Sequence, residues 1–328
     1  MKRLKNLWDT FCTLSCFIAA IYDGIKGKRK NYVIRKLLCL EIAASTAANK
    51  RGAQKAYSDQ VAPEKVRKYA AELSSKVKNG EWQLHPPERS TRRMPNGKIR
   101  HIAKATLDDH IVHWALINTI MPALTRGMYA YCCGSLPGRG LKLVRKSIQK
   151  WIREPDVKFF VKLDIRKFYE NINVDLLMQQ LERVIADRPI LNLIRRILDT
   201  SGPGLAVGFY TSPWFANYHL QGLDHYIMQG LYKLRRGKRV AFVKHYVRYA
   251  DDMLLIGSSK RDLEKAVRAI IAYLQNELGL SVKGAWEIKE IGELNVDGEG
   301  KRKCRAGTYP VDMGGYKFYR MRVTACEG

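Results

Sequence analysis

Two apolar, β-prone runs, Val240 to Tyr249 and Met253 to Gly257, are interrupted only by Ala250-Asp251-Asp252. Strands meeting at paired carboxylates read as an antiparallel hairpin with negative charge at its tip. A third run, Lys158-Phe-Phe-Val-Lys-Leu-Asp-Ile165, carries Asp164 near its end. If these strands are neighbours in one antiparallel sheet, the carboxylates converge at its edge. Neighbouring strand residues point to opposite faces, so Asp251 and Asp252 are equivalent only if the turn rotates one of them back. Asp251 is therefore read as bridging and Asp252 as supporting. Taken singly, an Asp-Asp in a turn is ordinarily solvated and a Leu-Asp-Ile is ordinarily a strand end, so the rest of the chain has to decide between structure and chemistry.

Charge decides much of it. Subtracting 31 acidic from 58 basic residues leaves a formal +27, with a sequence pI near 9.9. Such a surplus repels itself unless a polyanion neutralises it, which points to nucleic acid. Half of it lies in the first hundred residues, where 22 basic and 8 acidic side chains give +14. Converging carboxylates in a nucleic-acid-binding chain suit nucleotidyl transfer. Two metal ions about 3.5 to 4 Å apart lower the pKa of a 3′-hydroxyl and neutralise the leaving pyrophosphate. Magnesium takes hard oxygen ligands, most of them from triphosphate and water, so a few carboxylates suffice.

The remaining sequence sets the frame. Residues 1–85 read as a helical, basic N-terminal extension, and Pro86-Pro87 ends it. Arg89 to Lys104 offers a Pro95-Asn96-Gly97 turn between two basic arms, a hairpin. Helices are predicted over Asp108 to Leu124, Leu141 to Ile152, Val174 to Thr200, Ser212 to Leu231 and Ser259 to Leu278, with β-like stretches over Ser281 to Ile291 and Tyr309 to Tyr319. Gly134-Ser-Leu-Pro-Gly-Arg-Gly140 is a glycine-rich basic turn of a kind that can meet phosphate. The seven cysteines include no Cys-x-x-Cys pair, and no histidine cluster has zinc spacing, as expected of a reduced cytoplasmic protein without structural zinc. Phe11 to Tyr22 is too short and interrupted to span a bilayer and reads as an amphipathic helix, so no membrane partner is expected.

Val161-Lys-Leu-Asp-Ile-Arg-Lys-Phe-Tyr-Glu-Asn-Ile172 and Val247-Arg-Tyr-Ala-Asp-Asp-Met-Leu-Leu-Ile-Gly257 resemble the two catalytic motifs of reverse transcriptases. The similarity runs from about residue 86 to 322 and is greatest to the prokaryotic enzymes: diversity-generating retroelements, retrons, group II introns and the abortive-infection and defence-associated group. It implies an α+β right-hand polymerase with an antiparallel palm sheet, fingers over 86–157, a palm over 158–328 ending in a primer-grip-like turn, and a thumb short or absent. It implies two Mg2+ ions, replaceable by Mn2+, on Asp164, Ile165, Asp251 and Asp252. The dNTP would meet Arg93 and Arg100 of the hairpin, Tyr169 as the aromatic gate that rejects a 2′-hydroxyl, and Val207 and Gly208 of Gly204-Leu-Ala-Val-Gly-Phe-Tyr-Thr-Ser-Pro213. Lys98, Arg139, Tyr249, Gly315 and Tyr316 would contact nucleic acid. The motif D lysine is Lys283 or Lys289.

Two departures inform the expectation. Val207 stands where many reverse transcriptases carry a glutamine, and a branched apolar side chain cannot make the amide's hydrogen bonds. This points to the diversity-generating and defence groups and to relaxed fidelity, although Ser212-Pro213 replaces the serine-glutamine usual in the diversity-generating group. Only about nine residues follow Tyr319, so a protein or RNA partner replaces the thumb or processivity is poor. The expected partners are an RNA template or structured non-coding RNA, a DNA primer and product, and dNTPs. Two rival readings remain open: untemplated or protein-primed DNA synthesis, and a non-catalytic RNA-binding scaffold.

Overall fold

The computed structural model describes residues 3–25, 63–94, 97–296 and 302–325. In chain order the elements are helices α1 (Leu7–Phe11), α2 (Leu14–Ile25) and α3 (Pro63–Lys78), strands β1 (Glu88–Arg93) and β2 (Ile99–Lys104), and helices α4 (Leu107–Thr125) and α5 (Leu141–Trp151). Strand β3 (Phe159–Asp164) is followed by α6 (Phe168–Asn171), α7 (Val174–Glu182), α8 (Arg188–Asp199), α9 (Ser212–His219), α10 (Gln221–His225) and a π-helical turn, Tyr226–Gly230. Then come β4 (Tyr232–Arg235), β5 (Lys238–Ala241), β6 (His245–Tyr249), β7 (Asp252–Gly257) and α11 (Lys260–Leu278). The chain closes with β8 (Lys289–Ile291), β9 (Leu294–Val296), β10 (Arg302–Cys304), β11 (Thr308–Tyr309), β12 (Val311–Met313), β13 (Tyr316–Tyr319) and β14 (Arg322–Ala325). Among the described residues, no helix is long and apolar enough to cross a membrane.

The chain forms two compact units. The first gathers the described residues of Met1–Ala123, Leu181–Thr200 and Val207–Thr211, and the second those of Leu124–Gln180, Ser201–Ala206 and Ser212–Gly328. Residue 157 lies inside the second unit, where α5 packs beneath the central sheet. Val144, Ile148 and Trp151 share one buried cluster with Phe160, Val247, Leu254 and Ile256.

That sheet has the strand order β11-β8-β3-β7-β6. The β8/β3, β3/β7 and β7/β6 pairs are antiparallel, and β11/β8 is parallel. Alternation along the strands explains its two faces. Phe160, Leu254, Ile256 and Val247 face the α5 cluster, while Val161, Leu163, Met253 and Leu255 are buried on the other side, the side on which α11 buries Leu263, Ala266, Val267, Ile270 and Leu274. Ser259 caps α11 by accepting from Asp262 N at 3.3 Å, and Gly279 ends it at φ +65°.

Two expected elements are divided, each for a local reason. The helix over 174–200 is two helices. Asp187 caps α8 by accepting from Ile190 N, Pro189 fits its first turn, and the other carboxylate oxygen of Asp187 accepts from Leu7 N and Trp8 N at 2.7 and 3.0 Å. The strand over 240–249 is likewise two. β5 pairs back on β4, and β6 joins the central sheet only after Phe242–Lys244. Of the hairpin turn, Pro95 and Asn96 lie outside the described residues, and Gly97 takes φ +76°.

In the first unit, His113 on α4 is fully buried against the Phe209 ring, and among the described residues neither ring nitrogen has a hydrogen-bond partner. Burial lowers its pKa from 6.5 to about 3. In the second unit, burial lowers that of His219, which pairs with Gln180 Oε1 at 2.8 Å, to about 4. Below pH 6.5 the unfolded chain takes up protons that the folded chain refuses, so stability is full above that pH and falls as pH drops toward the folded values. Urea unfolding at about pH 4.5 should show a loss of roughly 2 to 3 kcal/mol per histidine relative to neutral pH. His113→Leu should flatten that slope by its share, and an unchanged slope would contradict the assignment.

Candidate active site

The register of the central sheet brings the carboxylates together. Asp164, the last residue of β3, lies directly opposite Asp252, the first of β7, and Asp252 is in turn opposite Tyr249. Asp164, Asp252 and Tyr249 therefore share the sheet face and strand end that lie above the α5 cluster. Asp251 belongs to the two-residue turn joining β6 to β7. Ala250 opens this turn at φ +56°, a left-handed conformation costing an alanine about 1 to 2 kcal/mol. Asp252 is thus a strand residue in register with Asp164.

The proximity has an electrostatic consequence. Burial raises the Asp252 pKa above the ordinary carboxylate value, the charges of Asp164 and Asp251 push it the same way, and Lys162 opposes them. Lys162 Nζ lies 3.6 Å from Asp252 Oδ2, and Lys283 Nζ lies 3.7 Å from Asp164 Oδ2. Lys283 N also donates to Asp164 O at 2.7 Å, beside a bridge between Ile165 and Val282. Lys289 instead pairs with Glu287 and lies over the Tyr309 ring, so of the two motif D candidates Lys283 is the one at the carboxylates.

Beneath the turn lies a network that sequence reasoning passed over. Arg248 points to the opposite sheet face and is fully buried. Its Nε and Nη2 donate to the two oxygens of Asp224 at 2.8 and 2.7 Å, and Nη1 donates to Asn217 Oδ1 at 2.9 Å and to Ala250 O at 3.0 Å. Tyr246 donates to the same Asp224 at 2.9 Å. Asn217 Nδ2 donates to Gly134 O at 2.7 Å, and a Cβ on Gly134 would stand 2.5 Å from Ala250 N. Gly134 is therefore needed for close approach to the turn, a role that its glycine-rich setting did not reveal. The strained Ala250 peptide is held from below by charge-assisted hydrogen bonding.

The other anticipated residues have definite surroundings. Tyr169, half-buried on α6, has its carbonyl clasped by Leu205 N at 2.7 Å, and Gly204, at φ +76°, passes so close that a Cβ would overlap that oxygen. Ile165 is 1% exposed, so it can offer a ligand only through its main chain. Arg139 donates to the carbonyls of Tyr129 and Cys132 at 2.6 and 3.2 Å, which makes it first a fastener of its own loop. Gly314 and Gly315, both at positive φ, make the turn between β12 and β13, and the Arg145 guanidinium lies 5.3 Å over the Tyr316 ring.

In the first unit, β1 and β2 form the basic hairpin, with Lys98 closing it through Met94 N. Arg93 is opposite Ile99 and Arg100 is opposite Arg92. Residues directly opposite share a face, so Arg93 and Arg100 point to different faces of the ribbon, and Arg92 with Arg100 is the same-face pair. The spacing of seven concealed this one-residue offset. Val207 O accepts from Ala103 N at 2.8 Å, and Gly208 at φ +117° leaves room for Ala103 O, so this segment is fastened to β2.

No three carboxylate, imidazole or thiol groups among the described residues are gathered tightly enough to close on one ion. The donor set nevertheless fits divalent cations. The hard-oxygen carboxylates of Asp164 and Asp251 add to the raised proton affinity of Asp252, and two lysine ammoniums supply positive charge of the kind a cation would bring.

Residues 86–285 match the family model described as reverse transcriptase (RNA-dependent DNA polymerase). Among curated proteins, the chain is 24% identical over 206 residues to the Retron Ec73 reverse transcriptase of Escherichia coli, covering 60% of this chain and 61% of that one. It is 21% identical over 230 residues to Protein YkfC of E. coli strain K12, covering 60% of each. The matched regions thus span about three fifths of those relatives. A telomerase from Candida tropicalis, solved with a TWJ fragment of telomeric RNA, shares the fold at TM-score 0.51 and 13% identity, over 79% of this chain and 48% of that one.

Proposed function

This chain belongs to the reverse transcriptase (RNA-dependent DNA polymerase) family, and from that premise we propose that it extends a primer 3′-hydroxyl with dNTPs copied from an RNA template. Its fold is α+β, and the antiparallel-containing central sheet is the palm of a right-hand polymerase. The observation that carries the proposal is the meeting of Asp164, Asp251 and Asp252 at one sheet end, with Lys162 and Lys283 beside them.

In this reading Asp164, Asp251 and Asp252, with the main chain of Ile165, hold divalent ions, Mg2+ in the cell. When bound, the ions lower the pKa of the attacking hydroxyl and neutralise charge on the leaving pyrophosphate. The chain's own residues do the positioning. Tyr169, its peptide locked by Gly204 and Leu205, excludes a 2′-hydroxyl, and Lys283 stands ready to stabilise or protonate the leaving group. Arg92 and Arg100, on one hairpin face, join Arg93 as candidates for the triphosphate. Val207 belongs to the nucleotide pocket and favours relaxed fidelity, which suits a phage-defence or diversity-generating setting.

The test is template dictation. With a poly(rA) template, an oligo(dT) primer and labelled nucleotides, the protein is expected to incorporate dTTP, to reject dGTP and to use UTP far more slowly. Incorporation indifferent to the template base would contradict templated synthesis and favour untemplated addition.

A further inference from the structure

The β4–β5 hairpin takes no part in the site described above. Arg236 and Gly237 form its turn at φ +50° and +73°, the type in which both central residues are left-handed and for which asparagine and glycine are preferred. Here the first position is an arginine. Arg235, Arg236, Lys238 and Arg239 are all exposed, and among the described residues none of them forms an ion pair. The ribbon's register places Arg235 opposite Lys238 on one face and Leu234 opposite Arg239 on the other, so cations occupy both faces and the tip.

The hairpin's base is anchored. Phe242 N donates to Leu231 O at 2.9 Å, and Lys233 Nζ pairs with the mostly buried Asp262 of α11 at 2.5 Å. Four positive charges, none with an ion-pair partner among the described residues and one of them, Arg239, stacked on Tyr232, are thus held on an anchored two-stranded ribbon. No carboxylate occurs between Tyr232 and Lys244.

We propose that the β4–β5 hairpin is a docking surface for the phosphate backbone of a nucleic-acid duplex. Regularly spaced, sequence-independent negative charge is what this arrangement matches. A single strand is the poorer fit, because such strands are gripped by free aromatic faces, and the ribbon's tyrosine, Tyr232, already stacks its own Arg239 at 4.6 Å. Leu234, 70% exposed, leaves a protein contact as the competing occupant, which would require a matching acidic face.

The experiment measures binding of a short blunt RNA duplex against salt concentration, without nucleotides. The proteins compared are the wild type, an Arg235→Ala, Arg236→Ala, Lys238→Ala triple variant, and an equal-charge Lys260→Ala, Arg261→Ala, Lys265→Ala triple variant on α11. The hairpin variant should reduce the slope of log affinity against log salt by roughly 2 to 3, so that a fourfold rise in salt weakens it about 40-fold less than the wild type. The α11 variant should change the slope little, and Arg235→Lys with Arg236→Lys should retain it. An unchanged slope in the hairpin variant, or an equal change in both triple variants, would overturn the proposal. So would unchanged duplex binding accompanied by altered self-association, which would assign the ribbon to a protein contact. Thermal unfolding of each variant reports whether folding is intact. Because the readout needs no nucleotide addition, it stands or falls separately from the polymerase reading.

Discussion

Replacing Arg248 by methionine is expected to destabilise the protein by about 3 to 5 kcal/mol, because it strands the Asp224 carboxylate in the core without its partner. Urea unfolding measures this. Arg248 also anchors Ala250 O, so stability and activity separate in a second variant. Arg248→Met combined with Asp224→Leu replaces the ion pair by apolar groups, a change that is often close to neutral for stability. Stability should return only in part in this double variant, because the buried Tyr246 hydroxyl and Asn217 carbonyl lose these partners, while nucleotide incorporation stays down by about a hundredfold, since the turn bearing Asp251 has lost its fastening. Recovery of both together would show that Arg248 serves the core alone.

Asp251→Asn is the change with the largest expected effect on chemistry. The amide keeps the shape of the side chain and removes its charge, so nucleotide incorporation should fall by at least about a thousandfold. RNA binding should persist, because it draws on the surplus of 27 positive charges and not on this carboxylate. Folding should be unharmed or slightly improved, since one of the charges that disfavour ionised Asp252 is gone.

The site was legible where it depends on strand pattern. Three apolar runs, one carrying Asp164 and two flanking Asp251-Asp252, are enough to place the acids at one sheet end, because alternation and antiparallel pairing leave few other arrangements. What supports the site from beneath was not legible. Arg248 stands within the recognisable run but reads as an exposed charge by default. Its burial depends on Cys132, Asn217 and Asp224, which are 116, 31 and 24 residues away in sequence. Gly134 read as part of a loop suited to phosphate, and its closeness to Ala250 emerges only when distant segments meet.

Local chemistry accounts for the other differences. Asp187 and Pro189 carried the signals that divide the run over 174–200, but continuous helical periodicity masked them. The β4–β5 hairpin turns on Arg-Gly, a weaker signal than Asn-Gly, so Val240 was joined to the strand beyond it. Arg93 and Arg100 stand on different faces of their ribbon because register, and not spacing, determines which residues share a face.

The most direct test of the central claim is primer extension on a defined RNA template with Mg2+ and labelled dNTPs, run in parallel with the wild type and Asp251→Asn. Templated DNA product from the wild type, and none from a variant that still binds the RNA, is the predicted result. Equal product from both proteins, or none from either despite tight RNA binding, would contradict a catalytic role for the Asp164, Asp251 and Asp252 cluster.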